Sequence, residues 1–263
     1  MQAGGSKIIS IAFFLGLFLL LYFGCDTKDN SQKLAEKSRV LNFEKISPQM
    51  LLKSAQANLV ADETIYLDAL KIQTEQAETA EERYRLKEKE ASFWFTKEQE
   101  AISGAIAQQI AEGRGDSKSW SIAGTTFSLC LQREKDEDIR DFCFNRAINA
   151  FEKAISLDPD NIDHQVNMAL CYVEKPLEEN PMKGIQLLLG LNKNNPENIS
   201  VLTQLGRLSI KTNQIDRAIA RFNSILVLEP KNREANCYLG SIYEQQGNSM
   251  LSKKHYSICK REE

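Results

Sequence analysis

The side chains that most often carry out chemistry are few in this sequence and lie far apart. The 263 residues include only two histidines, His164 and His255. The sequence has no Walker-type loop, no G-x-S-x-G segment and no H-E-x-x-H segment, which would indicate phosphate binding, a serine nucleophile or a zinc protease. We therefore expect both histidines to be solvated. We also expect a protein that is not an enzyme and holds no metal or other cofactor.

Cysteines offer a second source of chemistry, and beyond the N-terminal region they are Cys130, Cys143, Cys171, Cys237 and Cys259. They are odd in number, widely spaced and without a C-x-x-C pair, so they lack the spacing of zinc ligands. We predict that they pack as small apolar residues in helix interfaces. A disulfide between Cys130 and Cys143 is the alternative, and it would require an oxidising compartment and suitable geometry.

Residues 1–25 are predicted to be a signal or anchor segment. An unbroken apolar run, Ile8–Phe23, follows Lys7 and precedes the polar residues 26–46. One alternative is a cleaved signal peptide, although no A-x-A-like site follows the run. Another is an uncleaved single span, because with Gly24 the run reaches the short end of the ~17–25 residues that cross a bilayer.

The third alternative depends on Gly24 and Cys25, since an apolar run that ends in Gly-Cys resembles the signal of bacterial lipoproteins. The resemblance implies that Cys25 is the lipidated first residue of the mature chain. In both anchored alternatives, residues 26–46 form a polar linker between the membrane and the body. Lys7 lies before the run and no basic residue follows it at once, which favours a body outside the cytoplasm, in the periplasm or cell envelope.

The composition favours helices and argues against a nucleic-acid partner. Hydrophobic residues make up 42% of the chain and charged residues 26%, and the formal net charge is −3. Gly and Pro are scarce, whereas strong helix formers are abundant. Proteins that bind nucleic acids usually carry clustered Lys and Arg with interleaved aromatic residues, and we find no such cluster. We therefore predict an all-α fold without a nucleic-acid partner.

Residues 47–116 are predicted to form successive helices. Ser47 and Pro48 are typical of a helix start, with the serine as N-cap and the proline in the first turn. Breaks are expected near residues 61–62 and 78–79. Two apolar groups then predict a degenerate hairpin that caps an array of repeats, and they are Phe93–Phe95 and the isoleucines at 102, 106 and 110.

The array itself is indicated by two similar stretches, residues 147–161 (AINAFEKAISLDPDN) and 218–232 (AIARFNSILVLEPKN). Upstream of the first stretch, Trp120–Phe127 has the pattern W-x2-A-G-x2-F, and Ala147–Pro159 then has A-x3-F-x2-A-x4-P. This order resembles the tetratricopeptide repeat. The resemblance implies a solenoid of helical hairpins, here preceded by additional helices and the N-terminal membrane anchor.

The repeat pattern can be followed four times, over residues 117–161, 162–198, 199–232 and 233–263. The first copy contains a charged insertion, Gln132–Asp141, and the second has extra residues in the turn between its helices. The resemblance implies a role in the repeat core for Trp120, Gly124, Ala147, Phe151, Pro159, Tyr172, Gly206, Ala218, Phe222, Pro230, Gly240 and Tyr243.

In proteins of this family the first helices of the hairpins line a concave groove that binds a protein or peptide. The resemblance places eight residues in such a groove: Lys118, Thr125, Val166, Leu170, Val173, Arg207, Lys211 and Glu244. The alternative for the three apolar members is packing against a neighbouring repeat. The groove lacks the Lys and Asn set with which some relatives clamp a C-terminal carboxylate, which argues against a cochaperone role.

Together these patterns predict a non-catalytic adaptor, tethered to the bacterial cell envelope, that binds a partner protein in its groove. The alternative is a structural envelope protein that assembles with itself, because no polar capping helix closes the fourth repeat. A homo-oligomer would then form through that repeat. A third hypothesis, an enzyme that uses residues 48–116, is motivated only by the lack of an assigned role for them.

Overall fold

The computed structural model describes residues 45–260 and is all-α in this range. Its helices are α1 Pro48–Gln56, α2 Ala61–Gln76, α3 Ala80–Thr96, α4 Glu100–Arg114, α5 Ser117–Arg133, α6 Glu137–Leu157, α7 Ile162–Glu174, α8 Lys183–Asn194, α9 Ile199–Lys211, α10 Ile215–Leu228, α11 Arg233–Gln245 and α12 Ser249–Cys259. The chain divides into two compact units, Met1–Lys45 and Ile46–Glu263, and all these helices belong to the second.

The predicted membrane segment lies outside the described residues. This applies to the apolar run, to Cys25 and to all but the last residues of the predicted linker 26–46. Between residues 45 and 260, no helix combines the length and the apolar character needed to cross a bilayer. The membrane anchor therefore remains a prediction from the sequence.

Helices α1, α2 and α3 begin close to the positions that the sequence predicts. The Ser47 hydroxyl accepts a hydrogen bond from the N–H of Met50 at 3.3 Å, and Pro48 is the first residue of α1. The predicted breaks near residues 61–62 and 78–79 are confirmed, since α2 begins at Ala61 and Thr79 is the N-cap of α3. The hairpin predicted from Phe93–Phe95 and the isoleucines at 102, 106 and 110 is confirmed as α3 and α4, which are joined by a turn at residues 97–99.

The helices from α5 onward pack as four successive hairpins, α5–α6, α7–α8, α9–α10 and α11–α12. The earlier helices α3 and α4 pack against each other, and α4 packs on α5. We call α5, α7, α9 and α11 the first helices of the hairpins. Because α5 contacts α7 and α7 contacts α9, these three helices lie side by side. We call the exposed surface of the four first helices the first-helix face.

A recurring Pro-x-Asn triplet connects each hairpin to the next. The side-chain oxygens of Asn198 and Asn232 accept hydrogen bonds from the N–H groups of Val201 and Ala235, at 3.0 and 2.9 Å. Asn161 caps α7 in the same way. Asparagine satisfies one of the free N–H groups at a helix start, while proline two residues earlier prevents the preceding helix from continuing. One short motif therefore ends one hairpin and starts the next.

Glycines of the first helices lie beneath aromatic rings of the second helices. A Cβ atom added to Gly206 would lie 2.6 Å from Cζ of Phe222, and one added to Gly124 would lie 2.8 Å from Cε1 of Phe151. The Phe222 ring also stacks on Tyr238 of the next hairpin, with 4.8 Å between the ring centroids. The structure shows that Phe222 joins two hairpins.

The residues predicted for the repeat core divide into three groups by exposure. Two prolines, Pro159 and Pro230, are exposed, because each lies in a turn just beyond the end of a second helix. Tyr243 is half-buried. The buried members are Trp120, Gly124, Ala147, Phe151, Tyr172, Gly206, Ala218, Phe222 and Gly240.

The prediction that the cysteines serve as small apolar packing residues is wrong for four of them. Cys130 and Cys143 form a disulfide between α5 and α6, with a Cα–Cα distance of 6.1 Å. Cys237 and Cys259 form a second disulfide between α11 and α12, at 4.9 Å. Antiparallel helices bring residues on either side of a turn face to face, which is the physical reason for both pairs. Cys171 is buried and free, and burial raises the pKa of its thiol to about 11.

The charged insertion Gln132–Asp141 is mostly helical. It extends α5 to Arg133 and supplies the start of α6 at Glu137, with a turn of three residues between them. The Asp136 carboxylate caps α6 by accepting hydrogen bonds from the N–H groups of Asp138 and Ile139, at 2.9 and 3.1 Å. The extra residues of the second repeat lie between α7 and α8, as predicted.

Candidate partner-binding face

All five charged and polar residues predicted for the groove are on the surface. All lie on first helices: Lys118 and Thr125 on α5, Arg207 and Lys211 on α9, and Glu244 on α11. Each is exposed. They are spread over three hairpins, so a partner would have to extend along several first helices to contact all five.

Val166 is wrongly assigned to the groove, since the structure buries it to 1% exposure. It packs in a core cluster with Ala169, Leu188, Val201 and Leu205, which joins the second and third hairpins. Leu170 and Val173 are half-buried against the same cluster. These three apolar positions therefore hold neighbouring hairpins together, which is the alternative that the sequence analysis left open.

An apolar cleft of about 290 Å³ lies among α3, α4 and α5. Its lining includes Phe95, Ile110 and Ile122, and the side chains of Phe95 and Ile122 are 37% and 51% exposed. Arg114 lines one side, and its Nη1 donates a hydrogen bond to Oε1 of Glu88 at 2.7 Å. A second ion pair with Glu81 holds the guanidinium at this side of the cleft.

A polar cleft of about 530 Å³ lies between α5, the turn that follows α6, and the start of α7. The α5 side presents Lys118, Ser121 and Thr125, and the opposite side presents Asp158 and Asp163. Ile122 and Thr126 line both this polar cleft and the apolar cleft. The two clefts are therefore neighbours that share residues of α5.

His164 lies in the wall of the polar cleft, and the expectation that it is solvated is wrong. The residue is 4% exposed. Neither ring nitrogen has a hydrogen-bond partner among residues 45–260, and the Asp158 carboxylate approaches no closer than 4.0 Å to Nε2. Buried side-chain nitrogens are normally hydrogen-bonded, so this ring is an unsatisfied polar group in the wall of the cleft.

The second histidine is also buried, contrary to the expectation. His255 is 8% exposed, and its Nδ1 lies 2.9 Å from Oδ1 of Asn236 in a hydrogen bond. Its ring stacks on Tyr243 with 5.6 Å between the centroids. Burial lowers the pKa of His255. The two histidines thus have opposite environments, since His255 has a partner within the fold and His164 has none.

The α1–α4 region contains a further cleft, of about 380 Å³, with Glu90 in its lining. Burial raises the pKa of the Glu90 carboxyl. In the part of the chain that the structure describes, no three His, Cys, Asp or Glu side chains are grouped as metal ligands.

Comparisons with known proteins agree with the repeat pattern. The family model described as tetratricopeptide repeat matches residues 144–161, which include most of α6 and the Pro-x-Asn turn after it. This match supports the predicted tetratricopeptide repeats. A comparison with curated protein sequences found no match.

A search of solved structures matched the chain to several proteins. One is a crystal structure of MamA, which is 15% identical in sequence. The alignment covers 64% of this chain and 91% of the MamA chain, with a TM-score of 0.40. A structure of MamA, residues 41 to the end, from Desulfovibrio magneticus RS-1 is 12% identical, with coverages of 67% and 92% and a TM-score of 0.41. A monomeric IFIT1 mutant with Gppp-AAAA is 14% identical, with coverages of 68% and 47% and a TM-score of 0.43.

Proposed function

We propose that the protein is a non-catalytic adaptor that binds a segment of a partner protein along its first-helix face. The observation that carries the proposal is the pair of neighbouring clefts on α5, one apolar and one polar. Binding sites for protein segments commonly combine apolar contact area with a few placed polar groups. Exposed charged side chains continue along the same face on α9 and α11.

The proposal includes a tether to the membrane of a bacterial cell envelope, with the body outside the cytoplasm. The apolar run Ile8–Phe23 and the Gly24-Cys25 pair support the tether. The disulfides Cys130–Cys143 and Cys237–Cys259 support the compartment, because disulfides persist in oxidising compartments and are rare in the cytoplasm.

Site-specific photo-crosslinking in the native cell tests the proposal. A crosslinking amino acid replaces Thr125 or Arg207, both exposed on first helices, or Glu152, which is exposed on the second helix α6. We expect one protein to be captured at both first-helix positions and not at Glu152. Capture of the same proteins at all three positions, or no capture at the two first-helix positions, would contradict the adaptor.

A self-assembling structural protein is the second candidate, and exposed apolar residues on the last two second helices favour it. Val227 on α10 and Met250 on α12 are 81% and 77% exposed. If they mediate assembly, light scattering of the full chain will show a mass that rises with concentration, and Met250→Asp will prevent the rise. A monomer at all concentrations would rule out this candidate.

A further inference from the structure

We propose that the polar cleft recognises a cationic side chain, arginine or lysine, in the bound partner segment. The inference rests on the proposed function, since it specifies the chemistry of a residue that binds the first-helix face. It depends on three observations about the cleft, which are an unsatisfied imidazole, two carboxylates and a single cationic side chain, Lys118, among the described lining residues.

The imidazole of His164 indicates that the cleft is built for a hydrogen-bonding group. A neutral imidazole has one acceptor nitrogen and one donor N–H, and in His164 both are buried without a partner in the described residues. Leaving such groups unpaired destabilises a fold. A bound cationic side chain can donate an N–H to the acceptor nitrogen.

The carboxylates of the cleft favour a ligand with a positive charge. Asp158 and Asp163 both line the cleft. Asp163 is exposed and has no ion-pair partner among the described residues. Lys118 is the one cationic side chain among the described lining residues, so the formal charge of the lining is negative when His164 is neutral. An ammonium or guanidinium group is attracted to this lining, whereas a carboxylate is repelled by both aspartates.

The distance between the acceptors suits a single cationic group. The Nε2 atom of His164 and the Oδ2 atom of Asp158 are 4.0 Å apart. A nitrogen placed within about 2.9 Å of each can donate to both, because hydrogen bonds of this length are ordinary for N–H donors. The hydroxyl groups of Ser121 and Thr125 on α5 are further acceptors for the remaining N–H groups.

The starts of α5 and α7 do not turn the cleft into an anion site. Helix N-termini favour anions through their free N–H groups. Here the Asp116 carboxylate accepts from the N–H of Ser119 at 2.8 Å, and the Asn161 side chain accepts from the N–H of Asp163 at 3.2 Å. Asp163 adds its own negative charge in the first turn of α7. The chain therefore supplies the negative groups that these helix ends attract.

NMR of the imidazole nitrogens tests this inference directly, because the full chain has only two histidines. The full-length protein, labelled with ¹⁵N-histidine and held in detergent micelles, is titrated with N-acetyl-arginine methylamide. N-acetyl-citrulline methylamide is the uncharged control and N-acetyl-glutamate methylamide is the anionic one. We expect the arginine compound to shift a ring-nitrogen signal of His164 and to leave His255 unchanged, with no shift from either control.

Matched variants test whether the arginine compound binds in the polar cleft. Asp158→Asn should weaken binding of the arginine compound about tenfold, the effect of losing one hydrogen bond to a charged group. Asp160→Asn removes the same charge from an exposed position in the same turn that does not line the cleft, and it should change the affinity less than about twofold. Lys118→Gln removes the competing cation and should strengthen binding.

The outcomes separate this inference from the adaptor proposal. Equal shifts with arginine and citrulline, larger shifts with glutamate, or no shift of His164 with any compound would overturn the cationic-ligand inference. Crosslinking of a partner at Thr125 and Arg207 would still support the adaptor in those cases. Arginine binding without capture of a partner would support the cationic-ligand inference and contradict the adaptor proposal.

Discussion

At the scale of single residues, we expect replacing each of the two buried histidines by leucine to change the stability in opposite directions. His164→Leu removes a polar ring that has no partner, so the free energy of unfolding should stay the same or rise by up to about 1–3 kcal/mol, the cost of an unsatisfied buried group. His255→Leu leaves Asn236 buried without its bond to the ring and should lower the free energy of unfolding by a similar amount. Chemical denaturation of both variants measures this difference, and a destabilised His164→Leu protein would contradict the assigned environment.

We also expect His255 to make the stability of the protein depend on pH. Burial lowers the pKa of His255, so the folded protein favours the neutral ring more than the unfolded chain does. The resulting stability is present above the unfolded pKa of about 6.5 and is lost as the pH falls. Melting temperatures measured from pH 8 to pH 5 should therefore fall more for the wild type than for His255→Leu.

Two glycines provide a second matched comparison at this scale. Alanine at Gly206 would place a Cβ atom 2.6 Å from the Phe222 ring, which should destabilise the protein by about 1–3 kcal/mol through overpacking. Alanine at Gly190, in α8, would contact nothing within 4 Å and should stabilise the helix by roughly 0.5–1 kcal/mol. Thermal unfolding distinguishes the two, and equal effects would mean that the ring does not cover Gly206.

At the scale of helices and hairpins, the buried aromatic residues of the second helices hold the array together. Phe151 and Phe222 are both 0% exposed, and each covers a glycine of its own hairpin. Phe151→Ala and Phe222→Ala should each lower the free energy of unfolding by about 3–5 kcal/mol. Val227→Ala, at a position 81% exposed on the same helix as Phe222, is the control and should change it by less than about 0.5 kcal/mol.

Helix positions were largely predictable because their signals are local. Ser47, Thr79 and the asparagines before α7, α9 and α11 bond to N–H groups within three residues of themselves. The α3–α4 hairpin was predicted from its two apolar groups, but the bounds of its turn, residues 97–99, were not, since Lys-Glu-Gln is composed of strong helix formers and only the backbone of Glu98, with a φ of 56°, marks the change. Propensity alone did not separate α3 from α4.

At the scale of the whole molecule, thiol counting tests both the disulfides and the membrane anchor. The unfolded, unreduced chain from cells should react with a maleimide-polyethylene glycol at Cys171 but not at the four paired cysteines. Cys25 lies outside the described residues and adds one more label only if its sulfur carries no lipid. Two labels therefore indicate an unmodified Cys25, and one label indicates that Cys25 is lipidated or has been removed with a cleaved signal peptide.

Reduction before labelling is the control for this measurement. It should add four labels if Cys130–Cys143 and Cys237–Cys259 are both bonded in the cell. A protein that already shows all of these labels without reduction would contradict the disulfides, and with them the support for an oxidising compartment.

The sequence by itself determined the features whose signals are periodic or local. The Ala, Phe and Pro spacing of Ala147–Pro159 and its recurrence predicted helical hairpins, because a repeated pattern of small and large residues is sufficient to specify how a hairpin packs. It also placed the exposed charged positions of the first-helix face, including Lys118 and Arg207.

Only the tertiary structure decided which residues meet across the array. The pairing of Cys237 with Cys259, the burial of Val166 and the isolation of the His164 imidazole all depend on contacts between helices that are distant in sequence. The repeat pattern does not distinguish a first-helix residue that faces the groove from one that packs on an adjacent hairpin, because both lie on the same continuous helix surface. The fold therefore follows from the repeat, whereas the chemistry of the polar cleft follows from how α5, α6 and α7 are brought together.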